Sequence, residues 1–236
     1  MKESIKSKEE QIPPFQLNIK DEIGSFHIVE NNSGSVRIEI INKEGKKIVL
    51  SDLLPEGYEA IGNRRIMSDA KFLGLGNVDT SIADIENKVL VVSESEVKNE
   101  GRRYFLTFLH ELGHIKRHEA NPLFKKERDS EYTQWTRHPK DVEAFKRAEA
   151  LIAQDERDAW AFAIREYRKI IGELGIPKER IFKSANELME FVRQTSLGLK
   201  ANEIRKHVVG QFSISEEGKK RLAAEIFRMY SREELP

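Results

Sequence analysis

The chain reads as an α+β protein: a small antiparallel or mixed sheet in the N-terminal part, packed on a helix that carries a candidate active site, then an all-helical C-terminal part. Three observations lead there. Between Phe15 and Val92 the apolar residues come in short alternating or continuous runs bounded by Gly, Asn and Ser, the mark of strands and turns. From Arg103 onward they recur at three and four residues, the mark of helices. Strands come first and helices follow, which argues against repeated βαβ units and for an α+β domain.

Residues 1 to 12 are rich in lysine and glutamate, end at Pro13-Pro14, and read as a disordered tail. Phe15-Gln16-Leu17-Asn18-Ile19 and Val36-Arg37-Ile38-Glu39-Ile40 alternate as half-buried strands do. Asn31-Asn32-Ser33-Gly34 is a turn between the second of these and Phe26-His27-Ile28-Val29. Lys47-Ile48-Val49-Leu50 follows Lys43-Glu44-Gly45 as another strand, and Val89-Leu90-Val91-Val92 is the last. Ser51 to Ile85 shows no clear period, and its Gly74-Leu75-Gly76 lacks the third glycine and following helix of a phosphate loop. Apolar residues at 105, 108, 109, 112 and 115 make Arg103 to Lys116 an amphipathic helix. A polar loop is expected over about Asn121 to Pro139, and a long helix over about Asp141 to Leu174, stopped by Gly175-Ile176-Pro177. Further helices are expected at about 184 to 196, 200 to 209 and 216 to 233, the last opened by the capping sequence Ser213-Ile214-Ser215-Glu216-Glu217. The chain thus divides into a tail, a domain over residues 13 to 174, and a helical extension over 175 to 236.

Composition excludes several classes. Lys plus Arg equals Asp plus Glu at 40 each, so no global charge points to nucleic acid or an anionic membrane. Arg193, Lys200, Arg205, Lys206 and His207 are interleaved with Glu187, Glu190 and Glu203, the pattern of a solvated helix face, and no direct nucleic-acid contact is expected. With no cysteine there is neither a disulfide framework nor a thiolate metal site, so any metal must be held by nitrogen and oxygen. Met1 to Gln11 has no apolar signal core, and no segment approaches the roughly 18 apolar residues of a membrane span. A cytoplasmic protein is expected.

The chemistry is concentrated in His110-Glu111-Leu112-Gly113-His114. On a helix, positions i and i+4 share a face one turn apart, so both imidazoles can reach one metal ion. Glu111 can then reach the open side of the ion without being a ligand and take a proton from a water that the metal activates. Gly113 costs about 1 kcal/mol relative to Ala inside a helix, so a close approach of another segment is expected there.

A catalytic zinc takes three protein ligands and keeps one open position. Downstream candidates are His118, His138, Glu149, Glu156 and Asp158. His118 sits about 80° around and about 12 Å along the helix from His110, out of reach of the same ion, and reads as an exposed residue. His138 falls in the expected loop. On the long helix, Val142, Phe145, Ile152, Ala159, Trp160, Ala163, Tyr167 and Ile170 lie within about 60° of Glu156. Glu156 is therefore a carboxylate inside an apolar stripe, costly to bury unless a cation or hydrogen bonds compensate. Asp158 points the other way, to solvent. Glu149 shares the face of Glu156, and periodicity alone does not separate the two.

Here the chain resembles a family. The apolar strand, the helix Tyr104 to His114, and Glu156-Arg157-Asp158-Ala159-Trp160-Ala161-Phe162-Ala163 are similar to the ImmA/IrrE-type zinc metallopeptidases, HExxH zincins with a Glu-x-x-Ala-x-x-Phe-Ala signature. The likeness covers roughly residues 85 to 165. Two departures stand out: Ile164-Arg165-Glu166-Tyr167 replaces an apolar-apolar-Met-Pro stretch, and Trp160 replaces an Asn. The resemblance implies a zincin fold around the motif helix, with His110, His114 and Glu156 holding Zn²⁺ and Glu111 as general base. It also implies a cytoplasmic endopeptidase acting on a peptide or protein, often a transcriptional repressor. Tyr132, His138, Tyr167 and His118 are candidate oxyanion donors. Two alternatives remain: a zinc hydrolase of a non-peptide substrate, and a catalytically inactive zincin-like regulatory or binding protein. For the peptidase, the strand Val89 to Val92, close before the motif helix, is expected beside the metal, and the resemblance implies that it lies at a sheet edge and pairs with an extended substrate.

Overall fold

A computed structural model describes residues 13–69, 80–138, 141–177 and 180–196 of the 236-residue chain. The first four strands, β1 (Gln16–Asp21), β2 (Gly24–Glu30), β3 (Val36–Asn42) and β4 (Lys47–Val49), form an antiparallel meander in that order. Its turns follow local side-chain chemistry. Asn31 Oδ1 accepts the backbone N–H groups of Ser33 and Ser35, and Asp21 Oδ1 accepts that of Ile23, so each carboxamide or carboxylate replaces a backbone partner at the bend. Phe26 pairs with Ile40 and Ile28 with Ile38, and this register places all four side chains in the core.

A second, three-stranded sheet follows, made of β5 (Glu59–Ile61), β6 (Ile82–Asp84) and β7 (Val89–Val91) in the order β5-β7-β6. β7 runs parallel to β5 and antiparallel to β6. The expectation that Val89 to Val92 forms a sheet edge is therefore wrong. β7 is the central strand, buried throughout, as a continuous apolar run should be when both faces are covered. β6 forms the edge on the side of the motif helix, and its residues fall in the stretch where the sequence showed no period.

Six helices are described: α1 (Asn63–Ser68), α2 (Glu94–Glu100), α3 (Tyr104–Ala120), α4 (Pro122–Arg137), α5 (Val142–Glu173) and α6 (Ala185–Ser196). The N-terminal sheet followed by mostly helical structure is the α+β arrangement expected. α4 is a correction, because the segment expected as a polar loop is a helix. Asn121 caps it by accepting from Phe124 N, and Pro122 occupies its first position, where no N–H is needed. Its inner face carries Phe124, Arg128, Tyr132 and Trp135. An arginine in the middle of that face hides the apolar period. Val142, assigned to the buried stripe of α5, is exposed at the first turn.

α3 packs along α5 and against β6, and is buried without interruption from Tyr104 to Ile115. The main core joins Phe26, Ile28 and Ile38 to Phe105, Leu109, Trp160 and Tyr167, and continues into Ile176, Phe182, Leu188 and Phe191. Asn42 Nδ2 and Lys46 Nζ donate to the carbonyls of Leu174 and Glu173 at 2.8 and 2.6 Å, satisfying the end of α5 from the sheet. Among the described residues no helix is long and apolar enough to cross a membrane. The tail, Gly74-Leu75-Gly76 and the helices expected at 200 to 209 and 216 to 233 lie outside the described residues.

Burial pushes the carboxyl of Glu100, at the end of α2, up to about 8, although the Thr107 hydroxyl donates to it at 2.6 Å and acts in the opposite sense. A carboxyl that holds its proton more tightly when folded stabilises fully below its unfolded value, and that contribution is lost as pH rises from about 4.5 to about 8. Glu100→Gln should therefore be more stable than wild type at pH 8 and show a flatter dependence of Tm on pH across that window. Thermal melts at several pH values check this.

Candidate metal centre

α3 and α5 cross face to face, and the crossing depends on Gly113. A Cβ at this position would stand 2.7 Å from the carbonyl oxygen of Ala159 and 2.9 Å from its Cα, both backbone atoms with no freedom to swing away. The missing side chain lets α5 approach α3 between the two histidines of the motif. The helix-propensity cost noted in the sequence is the cost of that approach.

His110, His114 and Glu156 meet at this crossing, 3%, 6% and 4% exposed. The Nε2 atoms of the two histidines are 3.2 Å apart. Glu156 Oε2 lies 3.3 Å from His110 Nε2, and Glu156 Oε1 lies 3.5 Å from His114 Nε2. Three buried ligand atoms converging in this way could hold a metal ion. Burial pushes the His110 imidazole below its ordinary value in spite of the neighbouring Glu156, favouring the neutral ring that a ligand must present. That ring is stacked on Trp160, with centroids 4.1 Å apart and planes 23° from parallel.

Glu111 is also buried and belongs to the same place without joining the trio. Its Oε1 lies 3.8 Å from His110 Nε2, while its Oε2 accepts the backbone N–H of Ala83 at 2.9 Å. The edge strand β6 thus fixes one oxygen of this carboxylate and leaves the other facing the ligand atoms.

A second set of donors lies behind His114. Asp155 Oδ2 is 3.3 Å from both His114 Nδ1 and His118 Nε2 and accepts from Arg128 Nη1, while its Oδ1 is 3.4 Å from Arg117 Nε. Burial alone would raise the pKa of Asp155. Hydrogen bonds from the two histidines and the Arg128 guanidinium win instead, holding it well below the usual carboxylate range. His114, His118 and Asp155 have the spacing of a second metal trio. The Arg128 guanidinium, 3.1 Å from His118 Nε2 and bonded to Asp155, puts a fixed positive charge where such an ion would sit.

Of the sequence candidates, the structure brings His110, His114 and Glu156 together, with Glu111 beside them. Glu149 is half-buried and outside the trio. Asp158, expected in solvent, is half-buried and ion-paired to Arg117. His118, expected to be exposed, is only 3% exposed, because α4 covers the last turns of α3 and stacks Phe124 on its ring. His138 is exposed at the end of α4. Tyr132 packs on Trp135, and Tyr167 is buried against Phe105 and Phe182, about 16 Å along α5 from Glu156. Tyr167 is therefore a core residue and no oxyanion donor. Asp155 and Arg128 escaped sequence reasoning, since a carboxylate next to a ligand and an arginine in a polar segment carry no periodic signal. Compared with known protein families, curated proteins and solved structures, the chain matches none.

Gly113→Ala should lower stability by about 1–2 kcal/mol, the overpacking penalty exceeding the propensity gain of Ala. It should also weaken metal binding by moving Glu156 away from the histidines. Denaturant melts of the metal-free protein and a metal titration read the two effects separately.

Proposed function

We propose that this protein is a zinc-dependent metallopeptidase with the zincin arrangement, of the ImmA/IrrE type that the sequence resembles, hydrolysing a peptide or protein substrate. The observation that carries the reading is the convergence of two imidazoles and one carboxylate, all buried, on a point that Glu111 also faces. Tetrahedral zinc with bonds of about 2.0–2.1 Å needs ligand atoms about 3.3–3.4 Å apart. The two Nε2 atoms, 3.2 Å apart, are close to that requirement, and each lies 3.3–3.5 Å from one or other oxygen of Glu156, so the carboxylate reaches the same point. Two imidazoles and one carboxylate are also a donor set that zinc takes at catalytic sites.

His110, His114 and Glu156 would hold the ion, and zinc so held supplies a Lewis acid that lowers the pKa of a water to about 7. Glu111, anchored at Oε2 by Ala83 N, accepts a proton at Oε1 and later returns it to the leaving amine. One anchored oxygen keeps the other aimed, which saves the entropy of orienting a flexible base in each cycle.

A peptide substrate is supported by β6. Among the described residues it pairs with β7 alone, and its other side faces Glu111, so an extended segment laid along it would pass the reacting groups. A flexible linker in a protein, such as the transcriptional repressor that the resemblance implies, meets that requirement better than a folded surface does.

Protein purified without added metal should carry about one equivalent of zinc, and none would remove the reading. Glu111→Gln should retain zinc and fold while losing cleavage of fluorogenic peptide libraries. Cleavage retained by this variant would take Glu111 out of the mechanism. Intact zinc with no hydrolysis of any peptide by wild type would favour the regulatory alternative. Glu156→Ala should lose most zinc affinity, while Glu149→Ala and Asp158→Ala keep it, as read by chelator competition.

A further inference from the structure

We propose that Asp155 is a positioning residue for His114: it holds the proton on Nδ1, so that Nε2 presents its lone pair to the ion. The inference rests on the metal reading above. His114 uses its two nitrogens on opposite sides. Nε2 faces His110 and Glu156, while Nδ1 lies 3.3 Å from Asp155 Oδ2. A neutral imidazole has one N–H and one lone pair, and a carboxylate at Nδ1 decides which nitrogen keeps the hydrogen. Such a carboxylate also makes the ligating nitrogen more basic and fixes the plane of the ring.

The two ligand histidines are held by different means. His110 Nδ1 is buried without a hydrogen-bond partner among the described residues, and the ring is oriented by the face of Trp160. His114 has Asp155. Both supports come from α5, one residue before Glu156 and one turn after it, so a single rigid helix delivers the third ligand and both supports.

Asp155 is only 2% exposed, and a carboxylate there must stay charged to serve. Arg128 Nη1 and His118 Nε2 reach the oxygen that His114 uses, and Arg117 Nε stands 3.4 Å from the other. These groups compensate the buried charge. They also make an amide a poor replacement. In Asp155→Asn the carboxamide can keep an acceptor toward His114 only by turning its NH₂ group toward Arg117.

The test uses the full chain and measures zinc affinity by competition with a chromophoric chelator. It adds the visible absorption of the Co²⁺ form and the thermal melt of the metal-free form. Asp155→Ala should lose about 10- to 100-fold in zinc affinity and alter the Co²⁺ bands, with Asp155→Asn losing less. Arg128→Gln, which leaves the His114–Asp155 pair in place but removes part of its charge compensation, should lower the melting temperature and cost less zinc affinity than Asp155→Ala. Wild-type zinc affinity and an unchanged Co²⁺ spectrum in Asp155→Ala would overturn the positioning role and leave Asp155 as a structural ion-pair partner. If Asp155→Ala does not fold, Asp155→Asn decides by the same two readouts. Failure of the wild-type protein to bind zinc or Co²⁺ would overturn the metal reading itself, and the positioning role with it.

Discussion

The contact between the backbones of Gly113 and Ala159 sets the distance between α3 and α5, and the candidate site depends on that distance. Two histidines on one helix can approach a common point by helix geometry alone. A carboxylate from a second helix reaches the same point only if the helices touch without a side chain between them. Gly113 is placed between the two histidines, where the approach has to be closest. The same crossing presses Trp160 onto His110 and brings Asp155 behind His114.

The crossing buries an unusual amount of charge. Asp155, Glu156, Glu111, His110, His114 and His118 are all nearly inaccessible within a few turns of two helices. Such groups are tolerated only where each finds a partner of opposite charge or a hydrogen bond. Asp155 has two histidines and two arginines around it. The trio of His110, His114 and Glu156 brings two imidazoles and a carboxylate together, a donor set that could hold a metal ion. α4 belongs to this balance, since it brings Arg128 to Asp155 and covers His118 with Phe124.

Much of this was legible in the sequence because it rests on local periodicity. The motif helix, the long helix with Glu156 in its apolar stripe, and the strands of the meander each follow from spacing within one segment. What was not legible depends on pairing between segments. Val89 to Val92 reads as a strand from its own residues, but its central position is decided by Glu59–Ile61 and Ile82–Asp84, whose three-residue runs are too short to show a period. α4 carries no apolar period because Arg128 occupies its buried face to meet Asp155. His118 reads as exposed from its charged neighbours Lys116, Arg117 and Glu119, and its burial comes from α4, a separate segment.

The order of the elements also bears on how the molecule comes together. His110, His114, Asp155 and Glu156 all lie on α3 and α5, joined through α4 without any strand between them. Closing a connection of this length costs little chain entropy, and helices that pack on their sequence neighbours form quickly. The long-range contacts, such as Asn42 to Leu174, instead close the sheet onto this helical unit and complete the core they share. The crossing of α3 and α5 can thus form as an early step of folding. Amide protection along α3 and α5 during refolding would then precede that of β1 to β4.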